Sequence, residues 1–375
     1  MKRNFSEGKQ PFYPALVSVI VSRIEAEKIG AITVMKQKLF RVSMVLSTGG
    51  AIAAAMLSAT QPASAATPQA PSWQPVLSVP GGGVTEAVVA TGKTTGWAFL
   101  GNGTAYQREG ATTWKQVAFP GANGYVNAAA ASSPSNVWAA YRPAAGGEGS
   151  QVYRWNGSQW AAVESFPGSV TSLSVLGPND VWAFGGANYG QGVFHFNGRS
   201  WAEVSSTLSG GSATSDQNVW AYSGTQLAHY DGRQWTETSV AGLFPPSSDG
   251  TVAPSVTDVL ALAPDNVFAV GVGWGGIGGA GGAAEVLHFN GHGWSQAAVG
   301  PNVLGPGSLA SDGTGGLWMT SDTHENYEVL LHYSAGQLVN ANEPFMSVAS
   351  IPGTAEALGG NASPVATAPT VYQYS

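Results

Sequence analysis

A twelve-residue phrase, VFHFNGRSWAEV at 193–204, returns along the chain as VYRWNGSQWAAV, LAHYDGRQWTET and VLHFNGHGWSQA. Each copy reads as an alternating strand, an Asn-Gly or Asp-Gly, two residues and a tryptophan. Such a dipeptide between alternating strands is the strongest short hairpin signal, and it predicts a type I′ turn with positive φ at both central residues. A second mark alternates with the first: SPSNVWAAY, GPNDVWAFGG, SDQNVWAYS, APDNVFAVG and TGGLWMTS, with TGWAFLG ahead of them. Its aromatics, Trp97, Trp138, Trp182, Trp220, Phe268 and Trp318, stand 38 to 50 residues apart. Repeats of that period build propeller blades or stacked arrays, because one repeat cannot bury its apolar face alone.

Each repeat therefore predicts four strands. Strand a carries small residues, as in YVNAAAA at 125–131 and VTDVLAL at 256–262, which suits the crowded strand nearest a central axis. Strand b holds the aromatic just named, strand c runs into the turn, and strand d opens on Trp114, Trp160, Trp201, Trp235 or Trp294. The last repeat stops at VYQYS, where a turn and strand d are due, while PSWQPVLSVPG at 71–81 looks like the strand d phrase GSQWAAVESFPG. An N-terminal strand is thus expected to complete the C-terminal blade and remove the exposed edges of a linear stack. The expected fold is all-β, a seven-bladed propeller of four-stranded antiparallel blades over residues 72–375. Eleven of the 13 tryptophans fall on the two repeat positions and Trp155 on strand c, so the repeated phrase reads as packing rather than chemistry.

The glycine pair Gly185-Gly186, the strand c aromatic Phe196 and the strand d Trp201 resemble the kelch repeat of galactose-oxidase-like propellers. The G-x-x-W turns also look like the Asp-box hairpins of sialidase-like propellers. The pattern departs from both: the glycine pair occurs in blades three and seven alone, and YDGRQW lacks the Ser/Thr-x-Asp-x-Gly spacing. Copper radical chemistry of the galactose-oxidase type needs a Tyr–Cys crosslink, and the chain has no cysteine. Sialidase chemistry needs an arginine cluster, and four of the five arginines after residue 65 lie in or beside strand c and its turn. The resemblance implies the fold and neither activity.

The first 65 residues read differently. Lys36, Lys38 and Arg41 precede an apolar stretch from Val42 to about Leu57 and the small-residue motif Ala63-Ser64-Ala65, the order of a secretory signal cut after Ala65. Met35 is then the expected start, 1–34 an over-extended N-terminus, and 66–71 a short linker. A transmembrane anchor is the other reading, disfavoured by the short Ala-, Gly- and Ser-rich run. What remains carries 7 basic against 19 acidic groups, a net charge of −12. Such a surface repels nucleic acid and anionic lipid alike, so neither is an expected partner. A secreted, extracellular monomer without disulfides is expected, and thiolate metal sites are excluded.

Candidate chemistry is sparse. His195, His229, His288 and His332 recur in strand c, where other blades hold Arg154, Gln107 and Gln373, so they are read as polar side chains bonding to a neighbouring blade, with no metal site. Variation concentrates in the b–c loops, which share a face with the d–a connections, and variable loops on a rigid scaffold carry function. The expected binding residues there are Trp274, Tyr189, Tyr141, Arg142, His324 and Tyr327. Glu86, Asn127, Ser172, Asp258 and Ser308 are expected to ring the channel mouth on the same face. They suit Ca²⁺ or a sugar, or form a hydrated polar channel; no other cofactor is expected. The reading is a secreted module binding an extracellular glycan or protein through this face. The alternatives are a polysaccharide-active enzyme using Asp322, His324, Glu325 and Glu328 with Glu86 and Asp258, and a non-catalytic scaffold.

Overall fold

The computed structural model describes residues 70–375 except 82, 122–123, 145–148, 188–189, 246–252, 274–281, 323–327 and 362–367. These belong to one compact unit, Pro68–Ser375. Seven four-stranded antiparallel sheets make it up, six of them sequential meanders. Blade one shows the plan: strand a at Thr85–Gly92, b at Thr95–Leu100, c at Ala105–Arg108 and d at Trp114–Val117. Blades two to six follow within 124–166, 170–205, 211–239, 255–303 and 305–340. Among the described residues no α-helix occurs, Ala241–Leu243 is a 3-10 turn, and no helix is long and apolar enough to cross a membrane.

Blade seven is closed by the other end of the chain. Its strands a to c are Phe345–Ser350, Ala357–Asn361 and Thr370–Tyr374, and strand d is the N-terminal segment Trp73–Ser78, with Trp73 opposite Tyr374. Trp73 then stands edge-on to Phe345 at 4.8 Å and to Trp318 of blade six at 5.3 Å. A buried Arg108 of blade one donates to Gln373 of blade seven at 2.5 Å, and Gln373 donates to Glu356 at 2.6 Å, which links the first and last blades through side chains as well.

Seven apolar clusters hold the ring, each drawn from two adjoining blades. The strand b aromatics are their centres: Trp97, Trp138 and Trp182 are at most 1% exposed. A large side chain so buried stabilises by about 1.5–3 kcal/mol, so packing between blades, not within them, is the main apolar contribution. Blade six has no tryptophan on strand d, and Leu338 fills that place.

Two local readings are corrected by the structure. The Asn-Gly and Asp-Gly c–d turns carry positive φ at the glycine alone, as at Gly157 (+97°) and Gly198 (+88°), so they are not type I′; the Ala335-Gly336 turn of blade six, positive at both residues, is the one that fits that type. The preceding side chain explains why Asn or Asp is there: Asn156 Oδ1 accepts the Ser158 and Gln159 N–H groups, and Asp231 Oδ1 those of Arg233 and Gln234. The glycine pairs also differ in purpose. Gly185 and Gly186 need positive φ of +80° and +92°, whereas a Cβ on Gly359 would meet Phe345 Cε2 at 2.3 Å.

His229, His288 and His332 on strand c bond within their own blade rather than to a neighbouring one. His229 meets Asn218 at 3.1 Å, His288 meets Asn266 at 2.9 Å, and His332 meets Asp312 at 3.0 Å. Each ring stacks on its strand b aromatic, as His332 does on Trp318 at 3.9 Å. In blades four and five the residue two places before the strand b aromatic thus reaches across the hairpin, and in blade six Asp312 of the a–b turn does so. Desolvation holds His229 and His288 below the ordinary imidazole pKa, which favours their neutral form.

Candidate functional site

The b–c loops and d–a connections share one face, and the inner strands begin there. Each inner strand but that of blade four has a register shift near its start: the residue skipped is Glu86 in blade one, Asn127 in blade two, Thr171 in blade three, Thr257 in blade five and Met346 in blade seven. In blade six the shift spans Pro306 to Leu309. A bulged residue is released from the ladder and its side chain is re-aimed, here sideways to the next blade or outward.

The polar groups expected at the channel mouth are largely engaged by this geometry. Glu86 Oε2 accepts the Val126 N–H of blade two at 2.8 Å, and Asn127 donates to Ser169 Oγ at 2.8 Å. Ser172 Oγ accepts from the Gly211 N–H and donates to its carbonyl, 3.2 and 3.0 Å, and Ser308 reaches Val348 in the same manner. Asp258 Oδ1 accepts its neighbour's Val259 N–H at 2.8 Å. These are staples between blades or local caps rather than a shared ligand cage. Glu86 and Asp258 stand on blades one and five, each held by a backbone N–H of its own surroundings.

Burial pushes the Glu86 carboxyl up to about 7 against the opposing bond from Val126. Asp258 is likewise pushed to about 7, because the inner strands enclose a group that water still partly reaches. Asp258 in turn helps raise the Tyr222 hydroxyl, after desolvation, and that hydroxyl donates to the Thr257 carbonyl. The seam beside Glu86, lined by Phe99, Phe119 and Tyr141, leaves no room for a water.

Of the expected loop residues, the structure separates Tyr141 from Arg142. Tyr141 is buried in the cluster between blades one and two, 6.2 Å from the rings of Phe119 and Tyr153, and is a core residue rather than a contact. The end of strand b still faces the neighbouring blade, which the loop assignment overlooked. Arg142, next along, is exposed and pairs across the sheet with Tyr125. Trp274, Tyr189, His324, Tyr327 and Glu325 lie outside the described residues. Asp322 and Glu328 face one another across strands b and c of blade six.

Two features were missed in the sequence. Tyr125, Leu304 and Met346 are large apolar side chains at inner-strand starts or the connections leading to them, exposed by 52%, 40% and 36%. Tyr125 is the large residue in an otherwise small-residue strand, and that was the available signal for it. The other is Glu285 of blade five, fully buried, with Gln296 donating to Oε2 at 2.9 Å and, among the described residues, no partner at Oε1. It shares a strand face with the core residue Leu287, so a charge stands where alternation calls for an apolar side chain. Desolvation raises it to about 7.

Glu285, Glu86 and Asp258 all hold their protons more tightly folded than unfolded, so the folded state loses relative stability as pH rises from about 4 towards 7. Glu285→Gln is expected to melt at the parent's temperature at pH 4.5 and above it at pH 7.5. A difference that does not change with pH would assign Glu285 a different role.

No family model matches the chain, and no curated protein matches it. Solved structures do. YCF48 bound to D1 peptide is 12% identical, with TM-score 0.52, covering 80% of this chain and 96% of that one. The β-propeller domain of Myceliophteria thermophila Cps50 (Swd1) is 9% identical, TM-score 0.57, over 80% and 99%. Virginiamycin B lyase from Staphylococcus aureus, in a catalytically inactive form with quinupristin, is 11% identical, TM-score 0.56, over 82% and 100%. The shared property is the propeller fold. At these identities it carries no residue-level role across.

Proposed function

We propose that this protein is an exported, non-catalytic propeller that holds a segment of a protein partner against its b–c and d–a face. The observation that carries the reading is the set of exposed apolar side chains there, Tyr125, Leu304 and Met346, on a face whose polar groups are largely engaged. Apolar groups left in water amid polar surroundings mark contact sites. That a propeller of this shape, YCF48, was solved with a peptide supports the choice of partner class. The signal-like order ending at Ala65 supports export. Kinship with kelch or Asp-box propellers remains part of the proposal, resting on the repeat phrases alone.

A glycan is the second reading, favoured by Tyr125, whose exposed ring beside Arg142 is a platform on which a sugar can stack. Catalysis is disfavoured because Glu86 and Asp258 are each committed to a backbone N–H, Val126 and Val259. The test is selection of random peptides displayed on phage against the full-length chain, with a glycan array and a polysaccharide-cleavage screen in parallel. Enriched peptides are expected to bind at least tenfold more weakly to a Tyr125→Ser/Met346→Ser variant. Glycan binding without peptide binding transfers the function to the second reading, and cleavage of a polysaccharide overturns both.

A further inference from the structure

At the seam of blades three and four, on the face opposite the proposed contact surface, one strand c histidine has a setting the others lack. His195 stacks on Trp182 at 4.2 Å with the rings 15° from parallel, which fixes the imidazole plane. Its Nε2 lies 2.9 Å from Asp180 Oδ1 on its own blade and 3.4 Å from Asp216 Oδ1 on the a–b turn of the next. The three atoms all lie within 4.8 Å of one another. Zinc bonds to His nitrogen and Asp oxygen are about 2.0–2.1 Å, which sets the edge between tetrahedral ligands at about 3.3 Å. The two His–Asp distances straddle that edge.

Comparison among the blades sharpens the point. An amide suffices to hold the strand c side chain: Asn136 takes Arg154, Asn218 takes His229, and Asn266 takes His288. Blade six does use a carboxylate, but Asp312 Oδ1 is occupied by the Thr314 and Gly316 N–H groups of its own turn. At blade three the amide is replaced by Asp180 and a second carboxylate is brought up from the adjoining blade. Two carboxylates so placed, both within reach of one imidazole nitrogen, repel each other when ionised. A divalent cation removes that repulsion. Asp216 is mostly exposed, so its side chain is free to swing inward.

We propose that Asp180, His195 and Asp216 form a three-ligand site for a divalent transition metal of the zinc class, tying blade three to blade four, with solvent completing the coordination. On binding, Nε2 is held deprotonated and gives up its bond to Asp180, so any proton it carries is released. This assignment is independent of what the opposite face binds.

The test uses full-length, tag-free protein stripped with a chelator, titrated calorimetrically with Zn²⁺ and optically with Co²⁺. One equivalent of Zn²⁺, a higher melting temperature in excess Zn²⁺, and the visible absorption of four- or five-coordinate Co²⁺ are expected. His195→Gln should abolish all three; glutamine already fills the equivalent position at Gln107 and Gln373, so the fold is retained. Asp216→Asn should weaken Zn²⁺ binding at least tenfold while the metal-free melting temperature stays the same. His332→Gln should bind as the parent does. Absence of binding overturns the proposal, as does binding that survives either His195→Gln or Asp216→Asn, since the metal then sits elsewhere.

Discussion

Deleting residues 72–80 is expected to lower the melting temperature by roughly 10 °C or more and to promote self-association. The loss of Trp73 alone, a partly buried aromatic, is worth up to about 3 kcal/mol, the loss of the rest of strand d adds to it, and for a chain of this size each kcal/mol shifts the midpoint by about 2–4 °C. Trp73 bridges Trp318, Phe345 and Tyr374, so both sides of the last seam are loosened. Removing strand d also uncovers the outer edge of Thr370–Tyr374, a free row of backbone donors and acceptors. Melting by calorimetry and size by light scattering check this. A truncated protein that melts with the parent and stays in the parent's assembly state refutes closure by this segment.

Trp138→Ala is expected to destabilise by about 3–5 kcal/mol, the range for removing a core aromatic. The ring is fully buried, packs against Trp201 and Phe196, and lies under the Arg154 guanidinium at 5.4 Å. Its Nε1–H donates to Asn136 at 3.1 Å, so the truncation also frees an acceptor that holds Arg154. Tyr125→Ser, at a half-exposed site, should change stability by no more than about 0.5 kcal/mol. Chemical denaturation of the two variants against the parent gives both values. Equal losses would mean that Tyr125 is a packing residue and that the proposed contact face lacks its principal member.

The blades were legible because their determinants are local. Alternation, the N-G or D-G turn and the tryptophan spacing place every strand, and the mismatch between the two ends of the chain places the closing one. The turn type was misread because the decisive group is a side chain: Asn156 caps two N–H groups, and propensity for positive φ is a different property of the same residue. At the candidate face the reading was weaker for a geometric reason. A bulge re-aims the residue it frees, so Glu86 and Asn127 turn to the adjoining blade, where period-two alternation gives no warning. Tyr141 was misplaced because a loop's first residues and a strand's last ones look alike in sequence. The Asp180, His195 and Asp216 cluster joins residues from two repeats, and no spacing rule within one repeat contains it.

The closing strand also sets an order of events. Trp73 and Tyr374 are paired directly yet lie at opposite ends of the described chain, which makes this the most non-local of all the strand pairings. Blades one to six can form as successive hairpins while the chain is still being extended, but Trp73–Ser78 has no partner until Thr370–Tyr374 exists. The segment that appears first is therefore the last to dock. Until it does, the molecule is an open arc with an unpaired rim, and the speed of that final encounter governs how long the nascent protein is vulnerable to aggregation and proteolysis.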